Sequence, residues 1–186
     1  AYAYSTYTGR AYIFYNDGSM PTTAATADVT ITGETTNSEF SRSLGSGDFN
    51  ADGKIDLIVG APRYSSYAGN TYIFYNGSII TENASGADIV ITGVNRFGYA
   101  IAVGDMNADG RTDLVIGGYS YSNDTGRTYI FYNDGSIPTT SATADVTISG
   151  NATGDQFGIT MTTGDFNIDG RIDLAVGAYS YSTFTG

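Results

Sequence analysis

Short apolar runs and strict alternation, with no sustained helical period, recur along this chain. The run Tyr-Ile-Phe-Tyr-Asn occurs at 12–16, 72–76 and 129–133. Its β-propensity predicts strands, with Phe14, Phe74 and Phe131 in a core. A second run, Ala-Asp-Val/Ile-x-Ile, occurs at 27–31, 87–91 and 144–148. There Val29 and Ile31 fall on one side of an extended strand and Asp28, Thr30 and Thr32 on the other. That alternation predicts an outer, half-solvated strand. A third run, Asp-Leu-x-Val/Ile-Gly, occurs at 56–60, 113–117 and 173–177 and is apolar on both sides, as a strand buried between layers must be. Apolar stretches such as 99–104 precede each of these and predict a fourth strand.

The order of the runs is constant, and corresponding positions lie 60 and 57 residues apart. A repeat of ~60 residues with four short antiparallel strands is the unit of a β-propeller, so the expected class is all-β. The expected domain is a single propeller over 1–186, with repeats at 1–60, 61–117 and 118–177 and a further repeat starting at 178–186. The opening AYAYSTYTG nearly repeats the closing AYSYSTFTG. The chain is therefore expected to hold three blade-equivalents: whole blades at about 40–92 and 97–150, and two complementary half blades. Three blades do not close a ring, and an unpaired strand edge invites another chain. The expectation is a homo-oligomer that completes the ring by intersubunit strand pairing, as a head-to-tail dimer of six blades. A nine-bladed trimer, an open filament, or a piece of a longer repeat chain are the alternatives.

Between the first and second strand of each unit lies Gly-Asp-x-Asn-x-Asp-Gly-x-x-Asp-Leu, at 47–57, 104–114 and 164–174. Oxygen-bearing side chains at loop positions 1, 3, 5 and 9, with glycine at 6 for a sharp turn, are the layout of a cage for a hard cation such as Ca²⁺. An EF-hand would need Glu at position 12, where this chain has Val59, Ile116 and Val176, and helices rather than strands on either side. The plain alternative is an Asp-Gly turn without metal, in which three carboxylates repel one another.

Composition changes the picture in three ways. The formal net charge is −11, and nine of the 19 acidic residues lie in the three loops. Three divalent ions would bring −11 to −5, so the acidity reads as metal demand. One Lys and seven Arg form no basic stripe, which argues against nucleic acid. The absence of Cys and His removes disulfides, the usual zinc ligands and catalysis that depends on either residue. No apolar run approaches the ~18 residues of a membrane span. No signal peptide is visible, and Ala1 in place of Met leads to the expectation of a processed or trimmed chain. Asn-x-Ser/Thr at Asn76, Asn83, Asn123 and Asn151 would be glycan acceptors in a eukaryotic secreted protein, or chance in an Asn/Ser/Thr-rich chain.

Phe97-Gly98 and Phe157-Gly158 precede the second and third loops, and Gly60-Ala61-Pro62, Gly117-Gly118 and Gly177-Ala178 follow the three loops. This pattern resembles the FG-GAP repeat of integrin α-subunit β-propellers and related extracellular propellers. The departures are Phe40-Ser41 in place of Phe-Gly, and Tyr119 and Tyr179 in place of proline. The resemblance implies one Ca²⁺ per loop, three per chain. The ligands it implies are Asp48, Asn50, Asp52, Asp56 and the Lys54 carbonyl; Asp105, Asn107, Asp109, Asp113 and the Arg111 carbonyl; and Asp165, Asn167, Asp169, Asp173 and the Arg171 carbonyl.

Antiparallel order puts the loops between second and third strands on the end away from the Asp loops, and those loops carry Tyr64, Tyr67, Tyr119, Tyr121, Tyr179 and Tyr181. Tyrosine offers flat apolar area and a hydroxyl, which suits protein or sugar ligands, although packing between blades would use the same residues. The expected function is a non-enzymatic, Ca²⁺-stabilised extracellular or cell-surface recognition or adhesion module. A multivalent lectin, or a structural subunit of a filament or surface layer, is the alternative. An enzyme is the least expected reading: a carboxylate pair such as Asp155 with Glu39 is one example of an acid–base arrangement, and nothing in the sequence places the two together.

Overall fold

The computed structural model describes residues 1–77 and 82–180. Among the described residues, twelve strands make up most of the regular structure, with six helical turns of three or four residues between them. Strands β1 (Arg10–Ile13) and β2 (Val29–Thr32) form a two-stranded sheet. Strands β3 (Ser43–Gly47), β4 (Asp56–Ala61), β5 (Asn70–Phe74) and β6 (Ile89–Thr92) form a four-stranded sheet in chain order. Strands β7 (Ala100–Gly104), β8 (Asp113–Gly118), β9 (Arg127–Phe131) and β10 (Val146–Ser149) form another. Strands β11 (Thr160–Gly164) and β12 (Asp173–Gly177) form a two-stranded sheet. Among the described residues every pairing within these sheets is antiparallel. The protein is thus all-β, with four antiparallel sheets in a β-propeller-like arrangement.

The sheets lie face against face, and the hydrophobic core is split between the layers. Ala11 and Ile31 of the first sheet cluster with Phe40, Val59, Tyr72 and Phe74. Ile58, Ile73 and Ile91 of the second cluster with Leu114, Ile116 and Phe131 of the third. A smaller cluster of Ala102, Val115 and Ile130 meets Met161 and Leu174 of the fourth. The inner strands β3, β7 and β11 run side by side. Strands β4 and β8, apolar on both sides in sequence, are almost wholly buried, whereas the outer β10 is largely exposed. The pattern-based expectation holds for these strands but not for the third copy of the Asp-Leu run: β12 has no buried residue. Phe14, just past the end of β1, is likewise only half-buried, because each belongs to a two-stranded sheet covered on one side only.

Two local features were not expected. Tyr-Ile-Phe-Tyr-Asn is not strand throughout: β5 and β9 begin two residues before it and stop at the phenylalanine. Beyond that point the amides of Tyr15, Tyr75 and Tyr132 donate to Asp28, Asp88 and Asp145 at 2.6, 2.7 and 2.8 Å. The aspartate of the Ala-Asp-Val run thus closes each hairpin with a charge-assisted bond. Second, each connection between second and third strands makes one turn of left-handed backbone. Its φ values are 48°, 56° and 71° at Ser65, Ser66 and Tyr67, and 49°, 56° and 60° at Ser122, Asn123 and Asp124. Non-glycine residues adopt this conformation at a cost of roughly 1–2 kcal/mol each.

Candidate functional site

Hairpin geometry sends the three Asp loops to one end of the sheets, between β3 and β4, β7 and β8, and β11 and β12. All three loops fold alike. Asp48 Oδ1 accepts from the Asp52 amide at 3.2 Å and Oδ2 from the Gly53 amide at 2.9 Å. Asp105 does the same at 3.0 and 2.8 Å, and Asp165 at 3.1 and 2.9 Å. The asparagine at loop position 3 accepts from the amide at position 5 and donates to the carboxylate there, as in Asn50 with Asp52 at 3.0 and 3.2 Å. That carboxylate in turn accepts from the amide at position 7, Lys54, Arg111 or Arg171, at 2.8–2.9 Å. Glycine at position 6 has φ of 82°, 85° and 86°, and no heavy atom would lie within 4 Å of an added Cβ. Backbone conformation, rather than crowding, requires glycine there.

The aspartate at loop position 9 differs from the other three ligand positions. Asp56 and Asp113 are buried. Asp56 accepts from the Phe49 amide and the Asn76 amide, both at 2.8 Å. Asp113 accepts from the Met106 amide at 2.7 Å and the Asn133 amide at 2.8 Å. Asp173 accepts from the Phe166 amide at 2.9 Å. These carboxylates therefore pin the loop to its own hairpin and, in the two four-stranded sheets, to the end of the third strand. Burial raises the Asp113 carboxyl above the usual carboxylate range, against the amide bonds that lower it.

The donor chemistry of each loop, three carboxylates with an amide and a carbonyl oxygen, fits a hard divalent cation. Each carboxylate has about four acceptor positions, so the amide bonds leave lone pairs over. As they stand, no three acidic side chains among the described residues converge on one point. The loops are thus preorganised in backbone, with their carboxylates turned toward backbone amides.

At the other end of the sheets the predicted tyrosines divide. Tyr64 is half-buried beside the Ile31–Phe40–Val59 cluster, and burial pushes its hydroxyl pKa up, with Glu34 adding to the effect. Tyr67 carries two guanidinium groups, Arg63 at 4.8 Å and Arg96 at 4.5 Å from its ring centre. Tyr119 meets Tyr99 edge to face at 4.5 Å, with Arg96 at 5.3 Å. Tyr121 lies under Arg127 at 3.6 Å. Tyr179 is exposed, and Tyr181 falls outside the described residues. Glu39 pairs with Arg63 at 3.1 Å, while Asp155 accepts from the Ala152 amide at 2.8 Å. Sequence reasoning missed the arginines. Their one signal was that Arg10, Arg42, Arg63, Arg96 and Arg127 all border the loops at this end.

Comparison with known proteins agrees with this architecture. A profile of the FG-GAP-like repeat matches residues 48–116 and 105–176, each match running from one Asp loop into the next. The chain is 33% identical over 151 residues to bovine (Bos taurus) phosphatidylinositol-glycan-specific phospholipase D, covering 72% of this chain and 18% of that protein. It is 32% identical over 145 residues to Drosophila melanogaster integrin alpha-PS2, covering 73% of this chain and 10% of the relative. It is 34% identical over 183 residues to human (Homo sapiens) integrin alpha-11, covering 92% and 15% respectively. The chain thus spans less than a fifth of each of these relatives.

Proposed function

The chain belongs to the FG-GAP-like repeat family, and we propose that it is a non-enzymatic recognition or adhesion module that works outside the cell or at its surface. The observation that carries the reading is the division of the fold. Three loops of identical geometry occupy one end, and a surface of arginine and tyrosine occupies the other. The similarity to integrin α chains supports the adhesion class and the extracellular setting. Among the described residues no helix is long and apolar enough to cross a membrane.

We further propose that Ca²⁺ binds each Asp loop. The aspartates at positions 1 and 5, the asparagine at 3 and the carbonyl at 7 would hold it, with the position-9 aspartate serving the loop and the ion together. When bound, the ion would neutralise the loop carboxylates and tie the first strand to the second. Asp48, Asp52 and their counterparts already shape the turn through backbone amides, so little backbone rearrangement is required. Thermal unfolding with Ca²⁺ and with excess chelator tests this: binding at 100 times Kd stabilises the folded state by about 2.7 kcal/mol per site. A melting temperature indifferent to chelator would refute the metal reading, and failure to bind any immobilised matrix protein would refute the adhesion reading.

The free edges of β1 and β12 support a proposal on assembly. Neither edge has a partner strand among the described residues. The order β11–β12 followed by a strand pair of the β1–β2 kind would reproduce a complete four-stranded sheet. By the register of β4 with β5, Leu174 would face a residue equivalent to Phe14 and Val176 one equivalent to Tyr12. A second copy of this chain would supply such a pair, and a monomeric native mass would refute pairing between copies.

A further inference from the structure

A ladder of arginine and tyrosine side chains crosses the end of the sheets opposite the Asp loops, running Arg42, Tyr99, Tyr119, Arg96, Tyr67, Arg63. Arg42 lies 4.2 Å from the centre of Tyr99 and donates to its hydroxyl. Arg63 at the far rung is neutralised by Glu39 at 3.1 Å. Arg42 and Arg96 are different. Both are half-buried, and among the described residues neither has a carboxylate within salt-bridge range.

The distribution of charge sharpens the contrast. Five of the eight cationic side chains border this end, and the other three, Lys54, Arg111 and Arg171, lie in the Asp loops. Only four of the 19 acidic residues, Glu34, Glu39, Asp124 and Asp155, belong to this end. A chain of net charge −11 thus keeps one locally cationic surface.

We propose that this surface docks an acidic peptide segment, with two carboxylates engaging Arg42 and Arg96. A guanidinium held flat on a tyrosine ring has lost much of its rotamer freedom, so less ordering is needed when a carboxylate arrives. Its fork matches a carboxylate in two parallel hydrogen bonds. Half-burial limits screening by salt and water. In and beside the ladder the ring faces of Tyr67 and Tyr121 are taken up by arginines, so the groups presented there are guanidinium forks rather than bare rings, which favours an acidic peptide over a glycan. A cavity of about 330 Å³ lined by Asn37, Arg63, Ser66 and Tyr67 borders the ladder and has room for a neighbouring side chain of the same segment.

This inference rests on the recognition reading above and names the partner's chemistry. The test is a fluorescence-anisotropy titration of a labelled ten-residue polyglutamate peptide, in Ca²⁺ buffer at low salt. It compares the unaltered chain with Arg42→Gln/Arg96→Gln and with Arg10→Gln/Arg127→Gln, which removes the same charge outside the ladder and outside the Asp loops. The expected result is binding by the unaltered chain, a loss of roughly tenfold or more in the first variant, and a loss of less than about threefold in the second. No binding by the unaltered chain, or equal losses in both variants, would overturn the proposal. If the first variant fails to fold, Arg42→Lys/Arg96→Lys decides. It keeps the charge and loses the fork, so several-fold weaker binding supports the proposal and unchanged binding overturns it. Adhesion to matrix protein that survives in Arg42→Gln/Arg96→Gln would overturn this inference while leaving the recognition reading intact.

Discussion

Gly98→Ser is the substitution whose outcome the packing defines most closely. Gly98 sits at φ 87°, and a Cβ built there would stand 2.6 Å from the Asn70 carbonyl oxygen and 3.0 Å from Thr71 Oγ1. Gly158 repeats this at φ 86°, with Arg127 O at 2.9 Å and Thr128 Oγ1 at 3.0 Å. Yet the equivalent position in the first repeat is Ser41, at φ 66°. Two compensations are visible there. By the repeat, the counterpart of Thr71 there is Ala11 rather than threonine, and Ser41 Oγ donates to the Arg10 carbonyl at 2.7 Å. Gly98→Ser should therefore cost about 1–2 kcal/mol for the left-handed backbone and about 1–3 kcal/mol for overpacking against Thr71. A total of about 2–5 kcal/mol corresponds to a fall of roughly 4–20 °C in melting temperature for a chain of this size. Thr71→Ala removes a buried hydroxyl that has no hydrogen-bond partner among the described residues and should by itself be close to neutral. The double variant rebuilds the Ser41–Ala11 pair and should recover about 1 kcal/mol or more relative to additivity. Circular dichroism during heating, on the four members of the cycle, gives the coupling. Strict additivity would refute the explanation offered for the Phe-Ser departure.

Other outcomes follow from the same geometry. Asp113→Ala should destabilise by about 2–4 kcal/mol even in excess chelator, because the amides of Met106 and Asn133 lose their acceptor in a buried setting; a loss that vanishes with chelator would make Asp113 a ligand only. Ile168 is 91% exposed at φ 63°, so Ile168→Gly should raise stability by about 1 kcal/mol through relief of left-handed strain, and a lower melting temperature would contradict this. Phe97→Ala should cost about 3–5 kcal/mol in urea unfolding, since Phe97 is fully buried and meets Tyr129 and Phe131 edge to face at 5.3 and 6.2 Å. Asp88→Ala should cost about 1–3 kcal/mol by freeing the Tyr75 amide, with loss of hydrogen-exchange protection confined to the end of the β5–β6 hairpin.

The sheets were legible because each strand announces its own surroundings. Period-two alternation marks β2 as a half-solvated strand, and unbroken apolar runs mark β4 and β8 as buried ones; these are local consequences of the pleat. The loop sequence with glycine at position 6 likewise dictates its own turn, since Asp48, Asn50 and Asp52 are satisfied by amides no more than five residues away. Asp56 and Asp113 were harder. They occupy ligand positions in the sequence pattern, and their second carboxylate oxygen binds the amide of a residue 20 positions further on. Only pairing of the second strand with the third brings that amide near.

By itself, then, the sequence determined the repeat, the strand order and the three turns, because period, turn chemistry and spacing act over a few residues. Tertiary structure alone decided how the loops at the opposite end would be used. Arg42 and Tyr99 are 57 residues apart, and Arg63, Arg96 and Tyr119 come from three separate connections. Their ladder exists because sheet packing lays those connections side by side. The same packing decides why Ser41 is tolerated where the repeat has Ala11 and would not be where it has Thr71.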